Sequence, residues 1–314
     1  MSTAAWPVQL EFVRTDTVRI AQRNETYELL RIVAALGVVW FHCNAPAKAL
    51  GYAGLPALIA LSLGLASAPG KPHPISVSVA KRAKRLLLPW LFWCSAYGAL
   101  KLVKSRTTGV PIHDLFSDWT FMTGPAIHLW YLPFAFIVTC LAGLVRPAAF
   151  SSDQVVVPWS VSAVAASTGV CSWLLETATL PAPFAQWIFA IPAVLVGVSL
   201  PHSRDESKRI LRVLVLLLAV IIGCVATRSV SLSTPYIVGT ALLGAAWLIR
   251  IPAFKHASWL GGLSFGIYLV HPFVQSIVTR LISSNQTGII AILVMAISLM
   301  LTAGLQRTPL KCVI

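Results

Sequence analysis

Arg31 and His42 bracket an apolar run, RIVAALGVVWFH, in which the Trp40 indole is the one other hydrogen-bonding side chain. The two lie 11 residues apart. Three helical turns take about 10.8 residues, so a helix would put both side chains on nearly one face, about 16 Å apart along its axis. A charge within an apolar segment is costly, and it faces a bundle interior or a wet cavity unless it snorkels to the interface. Glu28, three residues before Arg31, is placed to pair with it. Two readings stand on spacing alone. The pair is a functional line through a helix, or it is an interfacial arginine with a histidine closing the helix end.

Three further stretches carry chemistry-bearing side chains. KRAKRLLLPW, residues 81–90, packs four cations into five residues before an apolar run. Arg82 and Arg85, at i and i+3, can face one phosphate-bearing ligand; the plainer reading is a cationic stop signal. Pro89 is expected to turn or kink the entry to that run. HLWYLPF, residues 128–134, holds His128, Trp130 and Tyr131 and reads first as a belt of interfacial aromatics. In GGLSFGIYLVHPF, residues 261–273, Ser264, Tyr268 and His271 follow i, i+4, i+7 spacing and share a helix face. Gly261, Gly262 and Gly266 allow close helix approach there, so that face is either interhelical glue or a site. His113, Asp114 and Asp118 fit a solvated loop better than an acceptor contact. Cys43, beside His42, is a weaker candidate for an acyl-carrying thiol.

Composition says what must position these groups. Of 314 residues, 57% are hydrophobic and 11% charged, against about 25% charged in a soluble domain. The mean hydropathy is +0.80. The expected fold is an all-α integral membrane bundle of about ten transmembrane helices. The spans are 27–46, 50–68, 86–104, 127–146, 155–174, 184–201, 210–227, 234–251, 259–281 and 288–305, the second and fifth being weak and rich in Ala, Ser and Gly. With the N-terminus inside and strict alternation, 17 Lys and Arg fall on the cytoplasmic side and 6 on the other, with Arg31 inside a span. That bias favours ten spans with both termini cytoplasmic. The domains expected are a cytoplasmic N-terminal segment 1–26, a membrane domain 27–306 and a cytoplasmic tail 307–314. No cleavable signal peptide is visible in the polar first 26 residues.

The net charge of +14 reads as cationic loops meeting anionic headgroups of the lipid bilayer, with no nucleic acid as partner. The six cysteines form no CxxC pair and read as small buried hydrophobes; no metal site is expected. The sequons at 24 and 285 match a pattern common by chance.

Taken in order, Arg31-x10-His42, Arg82-x-x-Arg85 with Pro89, His128-Leu-Trp-Tyr-Leu132 and Ser264-Phe-Gly-Ile-Tyr-Leu-Val-His271-Pro272 resemble the acyltransferase-3 family. The resemblance runs from about residue 26 to 310. One departure stands out: the family's Phe-Phe-x-x-Ser-Gly-Phe in the second span is here LIALSLGLAS, which keeps only Ser62 with a displaced Gly64.

The resemblance implies transfer of an acyl group, most often acetyl, from cytoplasmic acyl-CoA to a sugar hydroxyl. The acceptor would be a glycan or glycolipid bound for the cell surface. It implies acetyl-CoA as co-substrate, a bacterial inner-membrane location and polysaccharide-assembly proteins as partners. Carried onto this chain, Arg31 and His42 are the central pair, and Arg82 and Arg85 meet the CoA phosphates. Glu28, Trp130, Ser264, Tyr268 and His271 support them or line the pocket. His42 would act as general base or carry the acyl group briefly itself. The rival class is a polytopic transporter or flippase of a glycan or glycolipid, since intramembrane Arg and His also mark substrate pathways. No paired broken helices of an inverted-repeat carrier are seen in the sequence.

Overall fold

The computed structural model describes residues 24–66, 75–149, 153–200, 206–225, 227, 229–252, 256–282 and 286–314, without the side chains of 144–149 and 153–157. The expected N-terminal segment up to residue 23 lies outside these residues. So do several cations of the charge count (Lys71, Arg204, Arg228 and Lys255) and Asn285 of the second sequon.

Thirteen α-helices are present among the described residues, and no strand. They are α1 Glu25–His42, α2 Lys48–Tyr52, α3 Gly54–Ala66, α4 Ile75–Thr108, α5 Ile112–Leu115, α6 Thr120–Thr123, α7 Tyr131–Ala149, α8 Asp153–Thr177, α9 Phe184–Ser199, α10 Glu206–Val225, α11 Val230–Leu248, α12 Ala257–Leu281 and α13 Thr287–Leu305. Short 3-10 turns cover Ile127–Trp130 and Pro309–Val313. Each of the ten expected stretches coincides with a helix, the second being made of α2 and α3 in succession. Five are long and apolar enough to cross a membrane: Lys48–Ala66, α4, α11, α12 and α13. Charges near the start keep two others from that standard on composition, Glu25, Glu28 and Arg31 in α1 and Glu206, Lys208, Arg209 and Arg212 in α10.

Side-chain and glycine contacts give the helix directions. Gly261 lies against Glu28, and the Gln275 Nε2 donates to the His42 carbonyl at 2.8 Å. Both pairs are 233 residues apart, so α1 and α12 run parallel. Gly37 meets Gly51, and Gly54 meets Ala34, so α3 runs back against α1. A Cβ on Gly54 would come within 2.2 Å of the Ala34 carbonyl oxygen; that contact is why the second span is built of small residues. Arg82 opposite Gly143, with Cys94 opposite Gly124, makes α4 and α7 antiparallel. Gly266 against Thr302, with Gln306 on the Gly262 carbonyl, does the same for α12 and α13, and Val213 against Gly244, with Arg209 on the Trp247 carbonyl, for α10 and α11. These pairs therefore reverse direction, while α1 and α12 run together.

One expectation needs adjustment. α4 begins at Ile75, eleven residues before the expected span, so the KRAKR cations sit on helix rather than in a loop, and the helix continues through Pro89. Residues 309–313 pack against α4: Val313 is buried and its carbonyl accepts from the Trp93 Nε1 at 2.9 Å. That indole donor needs an acceptor away from water, and the turn supplies it.

Candidate functional site

The α1 helix ends at His42, with Asn24 capping its start through the Thr26 amide at 3.0 Å. Its apolar run faces α12 and α3, with Val39 and Ala35 fully covered. This fixes His42, half-buried, at the rim of the bundle. Its ring lies 5.1 Å from that of His271, centroid to centroid. His271 is fully buried in the middle of α12, and a third ring, His128, stands 5.6 Å from it. Three histidines from α1, the 127–130 turn and α12 thus form one chain running inward from the rim.

Local chemistry sets the His271 ring. Pro272 lacks an N–H, so the Tyr268 carbonyl, four residues earlier, loses its helical donor. The His271 Nδ1 lies 2.8 Å from that oxygen and 3.3 Å from the Ile267 oxygen. With two carbonyls facing it, Nδ1 holds the proton and Nε2 presents a lone pair. The Nε2 atoms of His271 and of His128 are both buried without a hydrogen-bond partner among the described residues. An orphaned buried polar atom costs about 1–3 kcal/mol. Two of them side by side mark a place kept for something other than stability.

Tyrosines close the cluster from behind. The Tyr268 hydroxyl donates to the His128 carbonyl, which holds the 127–130 turn against α12. The Tyr97 hydroxyl donates to the Leu269 carbonyl at 2.8 Å, and its ring stands edge-on to His128 at 5.2 Å. Tyr131 packs against Tyr268 at 5.5 Å.

At the other end of α1, Arg31 Nη1 pairs with Glu28 Oε1 at 3.1 Å. The carboxylate is buried and presses on Gly261, where a Cβ would come within 2.1 Å of Oε2. The Arg82 guanidinium rests on Gly143, 2.9 Å from where a Cβ would stand, while Arg85 is exposed. The geometry therefore separates an arginine end from a histidine end, with α1 joining the two.

Some expected residues lie elsewhere. Ser264 Oγ donates to the Gly261 carbonyl of its own helix at 2.7 Å and does not reach the histidines. Trp130 is buried among Tyr131 and Phe134, part of a wall. His128, Leu129 and Trp130 are all covered, so HLWYLPF is not an interfacial belt at its start. His113 and Asp114 are exposed and pair with each other at 3.0 Å. Cys43 is buried and free, as are Cys171 and Cys224, and all six cysteines are unpaired. No cluster fit for a metal ion occurs among the described residues. Tyr97 and Gln275 were not singled out from the sequence. Gln275 was legible there, because it continues the 264, 268, 271 face by one more turn. Tyr97 was not, because a lone tyrosine in an apolar helix reads as interfacial.

No curated protein and no solved structure matches this chain. A family profile does, that of the acyltransferase domain known as acyltransferase-3, over residues 24–305. That range takes in α1 through α13 and every residue of the arginine and histidine ends, and the chain belongs to the acyltransferase-3 family.

Proposed function

We propose that this protein is a ten-span membrane O-acyltransferase that moves an acetyl group from cytoplasmic acetyl-CoA to a sugar hydroxyl. The acceptor is a surface or exported polysaccharide or its lipid-linked precursor, and the membrane is a bacterial inner membrane. Three buried or half-buried histidines at the end of α1 carry this reading within the acyltransferase family.

In this mechanism Arg82 and Arg85 hold the CoA pyrophosphate at the cytoplasmic end, where two guanidinium groups suit phosphate oxygens. Arg31, oriented by Glu28, lies along the path that the pantetheine arm takes through the bundle. His42 removes the proton as the acceptor oxygen attacks the thioester carbonyl. The new C–O bond forms, the C–S bond breaks, and the CoA thiolate leaves and takes up a proton. His271, with its proton committed to a carbonyl, offers its lone pair toward the cluster and helps hold the proton-accepting end in place.

His42→Ala is expected to abolish acetylation of the product glycan while the protein still inserts in the membrane. The readout is mass spectrometry of surface polysaccharide from cells carrying each form; full acetylation by the variant would remove the base assignment. Dependence on acetyl-CoA in the same assay separates this reading from a transporter.

A further inference from the structure

One face of α4 runs from the arginine end to the histidine end. Arg82 and Trp93 are 11 residues apart on it, which sets them on nearly one line, about 16 Å apart along the axis. Pro89 and Tyr97 belong to the same face and are buried. The Trp93 ring lies 5.7 Å from that of Tyr97, and Tyr97 stands edge-on to His128 at 5.2 Å. Trp90 comes one turn before Trp93, so the two indoles are neighbours on the helix surface. Their N–H groups are differently served. The Trp90 Nε1 is buried without a hydrogen-bond partner among the described residues. The Trp93 Nε1 donates to the Val313 carbonyl at 2.9 Å, an amide oxygen from the 309–313 turn.

That turn is lightly held. Val313 is its buried residue, while Leu310, Lys311 and Cys312 are exposed. Its cap is local, Thr308 Oγ1 accepting from the Leu310 amide at 3.2 Å. One buried side chain and one hydrogen bond to Trp93 make a contact that a ligand can exchange. A buried indole N–H needs an acceptor. Two in succession, one unpartnered and one on an amide carbonyl, suit a ligand with two carbonyl oxygens one helical turn apart. The rise from Trp90 to Trp93 is about 4.5 Å. The pantetheine arm of CoA carries two amide carbonyls joined by a β-alanine unit, about 5 Å apart when extended. They follow the phosphorus by about 6 and 11 Å, and Trp90 and Trp93 stand about 7.5 and 12 Å beyond Arg85 along the axis.

We propose that Trp90 and Trp93 form a two-rung ladder for the amide carbonyls of the pantetheine arm, and that the 309–313 turn stands in at Trp93 until acyl-CoA displaces it. This rests on the acyl-CoA reading above. The thioester then lies beyond Trp93, beside Tyr97 and the His128 ring. The turn competes with the donor for one hydrogen bond, and Trp90 is the rung that it leaves to the donor.

The full-length protein is placed in nanodiscs of neutral lipid, and two affinities are measured by calorimetry. One is for desulfo-CoA, which keeps both amides and has no thiol. The other is for adenosine 3′,5′-bisphosphate, which lacks the pantetheine arm and the phosphate bearing it. Trp90→Phe keeps a ring and removes the N–H. It is expected to lower desulfo-CoA affinity about three- to tenfold, the scale of one hydrogen bond, and to leave bisphosphate affinity unchanged. In a cysteine-free background, Val313→Cys reports on the turn by its reaction with a maleimide. Desulfo-CoA is expected to speed that labelling several-fold, and the bisphosphate to leave it unchanged. Unchanged desulfo-CoA affinity in Trp90→Phe overturns the ladder, and so does an equal loss for both ligands, which marks Trp90 as structural. Labelling that desulfo-CoA does not speed, or that the bisphosphate speeds as much, overturns displacement of the turn. A wild type that binds both ligands equally overturns the ladder and leaves the phosphate contacts standing. One that binds neither overturns the donor reading itself.

Discussion

Among the residues, Pro272 has the clearest effect on its neighbour. By withholding an N–H it frees the Tyr268 carbonyl, and the His271 Nδ1 takes that acceptor. The tautomer of a buried histidine is thus set by a proline one residue away. Pro272→Ala would return a backbone donor to that carbonyl and release the imidazole from its anchor. The expected outcome is a normally inserted protein whose acyl-transfer rate falls about 10- to 100-fold, the cost of misplacing a reacting group by around an ångström. Transfer assays on membranes with matched protein content check it, and an unchanged rate would show that the His271 ring orientation has no part in turnover. The pair is visible in the sequence only as HP inside an apolar run. Which carbonyl the proline frees follows from helical geometry, but that the imidazole fills it depends on a rotamer, and rotamers come from packing.

For the elements, the contact that matters most is α1 on α12. The two run parallel, and Glu28 on one is pressed onto Gly261 of the other. Gly261→Ala would drive a methyl group into the carboxylate and its backbone, with 2.7 Å to Glu28 Cβ and 2.9 Å to Cα. Neither of those atoms can swing away. The variant is expected to lose about 1–3 kcal/mol, as overpacked sites do, seen as a lower Tm in detergent together with reduced transfer. Gly262→Ala next to it meets only the Gln306 amide at 3.9 Å, and it should leave Tm unchanged or slightly raised because alanine favours helix over glycine. Equal effects from the two would contradict the packing described. The sequence marks both glycines alike. Only the neighbour across the interface tells them apart.

Across the whole molecule, several neighbouring helix pairs reverse direction, as the ten-span reading proposed above requires. In that reading, the parallel run of α1 and α12 makes the first and ninth passages cross in the same sense. With the cationic bias of 17 to 6 setting orientation, the α4 end and the α10 start should lie on opposite sides. In a cysteine-free background, Thr107→Cys is expected to react with a membrane-impermeant maleimide on intact cells. Ser207→Cys should react only after permeabilisation. Both residues are exposed; labelling of both from one side would contradict the orientation and the count between them.

The sequence by itself determined that this chain is a helical bundle for a membrane, where its apolar stretches lie, and that Arg31 and His42 share a helix face. Those follow from composition and from the 3.6-residue period, which are local. It also carried the motifs that place the chain in its family. Only the tertiary structure decided that His128 and His271 join His42, that Ser264 and Trp130 do not, and that Tyr97 and Tyr131 close the cluster. These rings come from segments as far as 229 residues apart in the chain, and no periodicity reaches across such a gap. Their meeting is fixed by glycines that let one backbone approach another, and the partner at each glycine is a property of the folded bundle.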